Sequence, residues 1–310
     1  MLRAFDSTCA PIIRPDSSLQ RRFWDETAQL LGLFQKHRES NDNANAIPCF
    51  GRLARHRFNE VASRPNFDLT KKSIISAFQP KSAGTYLHNR LLQLGYQEFW
   101  WLFSHRLCSS VCYASDEALL YYLAGGCACH THARPDANIL AALDRAGVEK
   151  IWVHLRNPAE AVVSSYHHYL GEGHGEGCLG EQRARESLAE APRQGLAPGM
   201  SKSAFVMKHI GWHLEWVADW LQFAQDRPGL VVFSYYNEMA DPKQLLTRVF
   251  DELDAESPAG ITSAPVPDDR FREKASSNWR YELTPEAVNY LDLRLRAELQ
   301  RFPAFHQLWS

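Results

Sequence analysis

Between Gly125 and Asp136 the chain reads GGCACHTHARPD, which sets Cys127, Cys129, His130 and His132 within six residues. All four side chains can ligate zinc, and an imidazole with a pKa of about 6.5 can also take a proton as a general base. Spacing separates the two chemistries. Structural zinc sites pair their ligands as two knuckles across a loop, whereas an extended CxCHxH run sends alternate side chains to opposite faces. Cys127, Cys129 and Thr131 then share one face, and His130 and His132 the other. The stretch reads as the end of a core strand that presents His132. The cysteines are small buried residues, His130 is a hydrogen-bonded neighbour, and no metal is required.

Two other stretches have the chemistry of anion sites. In QPKSAGTY (Gln79 to Tyr86), Pro80 ends an apolar run, and Ser82, Ala83 and Gly84 let backbone amides approach a ligand. A helix beginning near Thr85 would aim its first amides at an anion, and Lys81 adds a full charge. The Walker A ending GK[ST] is absent, because no Lys stands between Gly84 and Thr85. Alone, such a loop is more often an ordinary βα turn than a phosphate site. After KIWVHL comes Arg156-Asn157-Pro158, with Ser164 about two turns into the following helix. Arg156 can hold a phosphate with that hydroxyl, or simply pair with Glu160. The strand before it does not end in the Asp that a magnesium-dependent NTPase uses.

These residues need a frame. From about Lys72 short apolar runs alternate with helical periodicity: SIISAF, YQEFWWLF, GGCACHTH, EKIWVHLRN and GLVVFSYY as strands. GTYLHNRLLQLG, DEALLYYLA, ANILAALDRAGV, PAEAVVSSYHHYL, AFVMKHIGWHLEWVADWLQFA and DPKQLLTRVFDEL read as helices. Such alternation predicts an α/β fold, a central parallel sheet with helices on both faces, whose ligands sit beyond the carboxyl ends of the strands. Residues 1–70 read as an N-terminal helical extension, with Leu19, Phe23, Leu30, Leu31 and Phe34 near helical spacing before the polar ESNDNANA. Trp212, Trp216 and Trp220 recur four apart, a packing stripe, and His154 within a buried strand reads as a satisfied core histidine. His167 and His168 read as wall or surface.

The composition excludes several partners. Among 310 residues, 45% are hydrophobic and 23% charged, and the net charge is −2, so no global field points to nucleic acid or a membrane. Seven cysteines form no regular framework, and no apolar run reaches the roughly 20 residues a bilayer needs. The expectation is a soluble, cytoplasmic protein with reduced thiols.

Taken together, the motifs resemble the cytosolic-type sulfotransferases. PKSAGTY is similar to their PKSGTTW loop, which binds the 5′-phosphosulfate of the donor. LRNPAEAVVSSYHHY is similar to RNPKDVAVSYYHF, which binds its 3′-phosphate, and HTHARPD to the KTHLP stretch that carries the catalytic base. WHLEWVADWLQFAQDRPGLVVFSYYNEM resembles the family's helix and its strand ending in YYED. The resemblance covers about Lys72 to Thr284. It implies a P-loop NTPase-like sulfotransferase domain over residues 71–310 that uses 3′-phosphoadenosine 5′-phosphosulfate as co-substrate, without metal. Adenosine 3′,5′-bisphosphate is released.

By position, the resemblance implies His132 as base and Lys81 at the leaving phosphate. Lys81, Ser82, Ala83, Gly84, Thr85 and Tyr86 would surround the 5′ end, with Tyr86 in place of a base-stacking Trp. Arg156 and Ser164 would take the 3′-phosphate, and Tyr236 the adenine. Arg272 and Lys274 would add charge from FREKASSNWRYELT, where Glu273 reverses a sign and the family's glycines are missing. Arg156 and Arg272 would govern donor affinity rather than the chemical step. The implied acceptor is a hydroxyl or amine of a small molecule, a metabolite or natural product, with residues 171–204 forming part of its wall. Oligomeric state is open. A P-loop kinase using ATP and a non-catalytic nucleotide-binding module are the competing readings.

Overall fold

The computed structural model describes residues 68, 70–98, 125–145, 147–169, 200–256 and 279–303, the short strands 103–105 and 112–114, and isolated positions 29, 33, 52 and 306. The proposed helical extension, DEALLYYLA, the 171–199 part of the acceptor wall, and Arg272 and Lys274 lie outside these residues.

Five parallel strands form one sheet in the order β2-β5-β1-β6-β7: β1 (Ile74–Phe78), β2 (Gln97–Glu98), β5 (Cys127–Thr131), β6 (Ile151–Leu155) and β7 (Val231–Tyr235). The inner strands β1 and β6 are buried at every position, as expected of runs that are apolar except for Ser76 and His154. A separate antiparallel pair joins β3 (Phe103–His105) to β4 (Cys112–Ala114). YQEFWWLF is therefore not one strand: Gln97–Glu98 belongs to the main sheet, and Phe103 to the small one.

Two apolar layers flank the sheet. Ile74, Phe78, Ala128, Trp152 and Val232 pack against α1 (Gly84–Gln93) and α5 (Pro242–Glu252) through Leu87, Leu91, Leu246 and Phe250. Ile75, Ala77, Cys127, Cys129 and Val153 face α3 (Pro158–Tyr169), α4 (Lys202–Asp226) and α6 (Pro285–Arg301), and Leu143 of α2 (Ala137–Arg145) joins this layer. The strand alternation thus resolves as two faces, each covered, and the expected α/β architecture is the one observed.

Chain order reverses around β1, which lies between β5 and β6. Register places Thr131, Ala77 and Val153 at one level, so the residues leaving β5, β1 and β6 emerge side by side at the crevice where such sheets bind ligands.

Candidate active site

His132 stands one residue past β5. Its Nδ1–H donates to the carbonyl of Phe78, the last residue of β1, at 2.6 Å. A carbonyl oxygen only accepts, so this bond puts the proton on Nδ1 and leaves the lone pair of the neutral ring on Nε2. That is the tautomer a general base needs. From the other side the indole N–H of Trp216 donates to the His132 carbonyl at 2.8 Å, and that of Trp220 to the Ala133 carbonyl at 3.1 Å. Arg134 adds bonds to Asp219 at 2.5 Å and Glu215 at 3.1 Å. One face of α4 therefore fastens the whole turn that carries the imidazole. The tryptophan stripe is packing, as its spacing indicates, and it also holds the site.

The neighbouring cysteines and histidines part as alternation demands. Cys127 and Cys129 sink into the layer under α3 and α4, where burial pushes the Cys127 thiol up to about 12 and raises Cys129 further. His130 lies on the opposite face, its ring 5.1 Å from Phe78, 5.4 Å from His88 and 4.9 Å from His132. The sheet itself stands between sulfur and imidazole.

The loop after β1 is bent sharply. Lys81 and Ala83 both take left-handed backbone, with φ of 68° and 69°, each costing about 1–2 kcal/mol for a residue with a Cβ. Gly84 then opens α1, and a Cβ there would lie 2.6 Å from Phe78 Cδ2, so the helix start can sit on the end of β1 only without a side chain. No side chain caps α1, which leaves its first amides for a ligand. Two wholly buried polar groups in the loop, Ser82 Oγ and Gln79 Nε2, have no hydrogen-bond partner. Buried donors of this kind cost about 1–3 kcal/mol each when left unpaired. Lys81 and Thr85 are half-buried here. Tyr86 is only 6% exposed, packed in the core beneath the loop with Arg90 5.3 Å from its ring.

Arg156 leaves β6 level with Tyr236 leaving β7, since Leu155 pairs with Tyr235. Its guanidinium lies 4.0 Å from the centre of the Tyr236 ring, donates from Nε to Glu160 at 3.0 Å and from Nη1 to the Lys81 carbonyl at 3.0 Å. The pairing with Glu160 is therefore present in the structure, and the same guanidinium also faces the loop after β1. The turn carrying Tyr236 is fixed by Glu238, which accepts from the Tyr235 amide at 2.6 Å and from Arg248 at 2.7 Å. Ser164 is half-buried on the second turn of α3.

Lys81, His132, Arg156 and Tyr236 therefore follow the carboxyl ends of four adjacent strands, β1, β5, β6 and β7, while Tyr86 is buried in the core. Sequence reasoning missed Gln79, whose Oε1 accepts from the Arg156 amide at 2.7 Å; a large polar residue directly after a buried strand was the available signal. It also missed His213. This buried imidazole is lowered to about 3 by desolvation first, then by His209 and His132, and its Nε2 lies 3.4 Å from Ser165 Oγ. His154 is buried in the core as expected but only half satisfied: its Nδ1 bonds to Ser234 Oγ at 2.7 Å, while its buried Nε2 has no side-chain hydrogen-bond partner. His167 is a buried partner of Glu282 at 2.8 Å, and His168 is exposed.

The chain superposes on the crystal structure of mouse sulfotransferase SULT7A1 complexed with PAP, with a TM-score of 0.51 and 15% identity over 80% of this chain and 91% of that one. The fold is that of a sulfotransferase. No protein-family profile matches the sequence, and no curated protein matches it. No helix among the described residues is long and apolar enough to cross a membrane.

Proposed function

We propose that this protein transfers the sulfonate group of 3′-phosphoadenosine 5′-phosphosulfate to a hydroxyl or amine of a small-molecule acceptor. The observation that carries this reading is His132, held by Phe78 and Trp216 in the tautomer of a base at the mouth of the crevice shared with Lys81 and Arg156. The PAP in the mouse neighbour supports the choice of donor.

In-line sulfonate transfer from the donor's phosphate oxygen resembles phosphoryl transfer in developing negative charge on the leaving oxygen. Lys81 and the uncapped amides of α1 would stabilise that charge more in the transition state than in the ground state. His132 Nε2 would accept the acceptor's proton as its oxygen or nitrogen attacks sulfur. Arg156 and Ser164 would bind the 3′-phosphate, and Tyr236 the adenine, with Arg272 and Lys274 contributing further charge. No step requires a metal.

The test is mass spectrometry of acceptor pools incubated with enzyme and donor, read as added sulfonate. His132→Ala should lose transfer by at least about a hundredfold and keep adenosine 3′,5′-bisphosphate binding, while Lys81→Met should lose turnover by orders of magnitude. Full transfer by His132→Ala would remove the imidazole from the chemistry. No transfer by the wild type, with nucleotide bound, would favour a binding module.

A further inference from the structure

Arg156 grips the loop after β1 twice. Its backbone N–H donates to Gln79 Oε1 at 2.7 Å, and its Nη1 donates to the Lys81 carbonyl at 3.0 Å. Gln79 is wholly buried and Arg156 only 7% exposed, so neither bond is exchanged for water at little cost. The segment they hold needs holding. Lys81 and Ala83 both sit in left-handed backbone, a shape the chain does not adopt by its own preference. The same guanidinium is anchored to α3 through Glu160 and lies against Tyr236 beyond β7. It therefore joins three elements to the one peptide whose side chain is Lys81.

We propose that Arg156, with Gln79, is a positioning residue for Lys81, so that the group binding one anionic end of the donor also sets the loop that acts on the other. This rests on the donor assignment above and changes one of its consequences. If Arg156 only held a phosphate, its loss would raise the KM for donor and leave kcat alone. As a clamp on the Lys81 peptide, its loss lowers kcat at saturating donor.

The deciding experiment uses the full chain without nucleotide. Amide hydrogen exchange is followed at Ser82, whose N–H donates to the Gln79 carbonyl at 3.1 Å, in the wild type, Arg156→Lys and Gln79→Met. Both variants should exchange Ser82 at least about tenfold faster, while buried amides of α5 such as Val249 and Phe250 stay at wild-type rates and report an intact fold. With donor saturating, both variants should also lose kcat, Gln79→Met included although it leaves every charge in place. Gln79→Met carries the test alone if Arg156→Lys does not fold. Unchanged Ser82 exchange, or a loss confined to KM, overturns the clamp. Failure of the wild type to bind adenosine 3′,5′-bisphosphate would instead count against the donor and leave the exchange result standing.

Discussion

Where the resembling loops place glycine and then threonine, this chain has Ala83 and Gly84, and the two positions carry different demands. Ala83 bears the left-handed φ of 69° that a glycine would take without strain, while Gly84 is required because Phe78 fills the space a Cβ would need. The shifted glycine is thus explained by packing rather than by ligand approach. Ala83→Gly should be neutral or stabilise by up to about 1 kcal/mol. Gly84→Ala should destabilise by about 1–3 kcal/mol through overpacking, with partial recovery in Phe78→Leu. Denaturant midpoints of the three variants measure this, and a Gly84→Ala protein as stable as the wild type would contradict the contact. At this scale the sequence made Lys81, His132 and Arg156 legible as chemistry. It could not show that Tyr86 would be buried under Arg90, or that Gln79 would turn its amide toward β6, because both depend on partners 4 and 77 residues away.

Among the elements, α4 does more than cover the sheet. Its Trp216 and Trp220 spend their indole N–H groups on the carbonyls of His132 and Ala133. Trp216→Phe should remove the indole donor to the His132 carbonyl, costing about 1–3 kcal/mol, and should lower turnover more than donor binding. Unfolding midpoints with transfer rates check this, and unchanged turnover in a destabilised protein would restrict Trp216 to packing. The long helices and buried strands were legible from periodicity. Helix α6 had equal signals, with Thr284 accepting from the Ala287 amide at 3.4 Å, Pro285 at its start, and Ala287, Leu291 and Leu295 buried on one face. This helix lies beyond Thr284, where the resemblance ends, so its own cap and periodicity are the only signals for it. The strands β3 and β4, at three residues each, are too short for alternation to register.

At the scale of the whole molecule, two neutral imidazoles are locked into the core. Desolvation pushes His154 down to about 3, with Arg156 and Arg248 adding to it, and His213 to about 3. The unfolded chain takes up these protons near pH 6.5 and the folded one near 3, so their contribution is intact above about 6.5 and lost as pH falls through that window. Each histidine should remove about 1.4 kcal/mol per pH unit there. Melting temperature should therefore fall between pH 6 and 4, more gently in His213→Leu; equal slopes would contradict a neutral buried His213.

The central claim is that the ends of β1, β6 and β7 together bind a nucleotide with two separate anionic groups. Calorimetric titration with adenosine 3′,5′-bisphosphate, beside ATP with magnesium, tests it most directly. The account predicts saturable one-to-one binding of the bisphosphate without metal, weakened by at least about tenfold in Arg156→Lys. No heat at millimolar bisphosphate, or tighter binding of magnesium ATP, would contradict it.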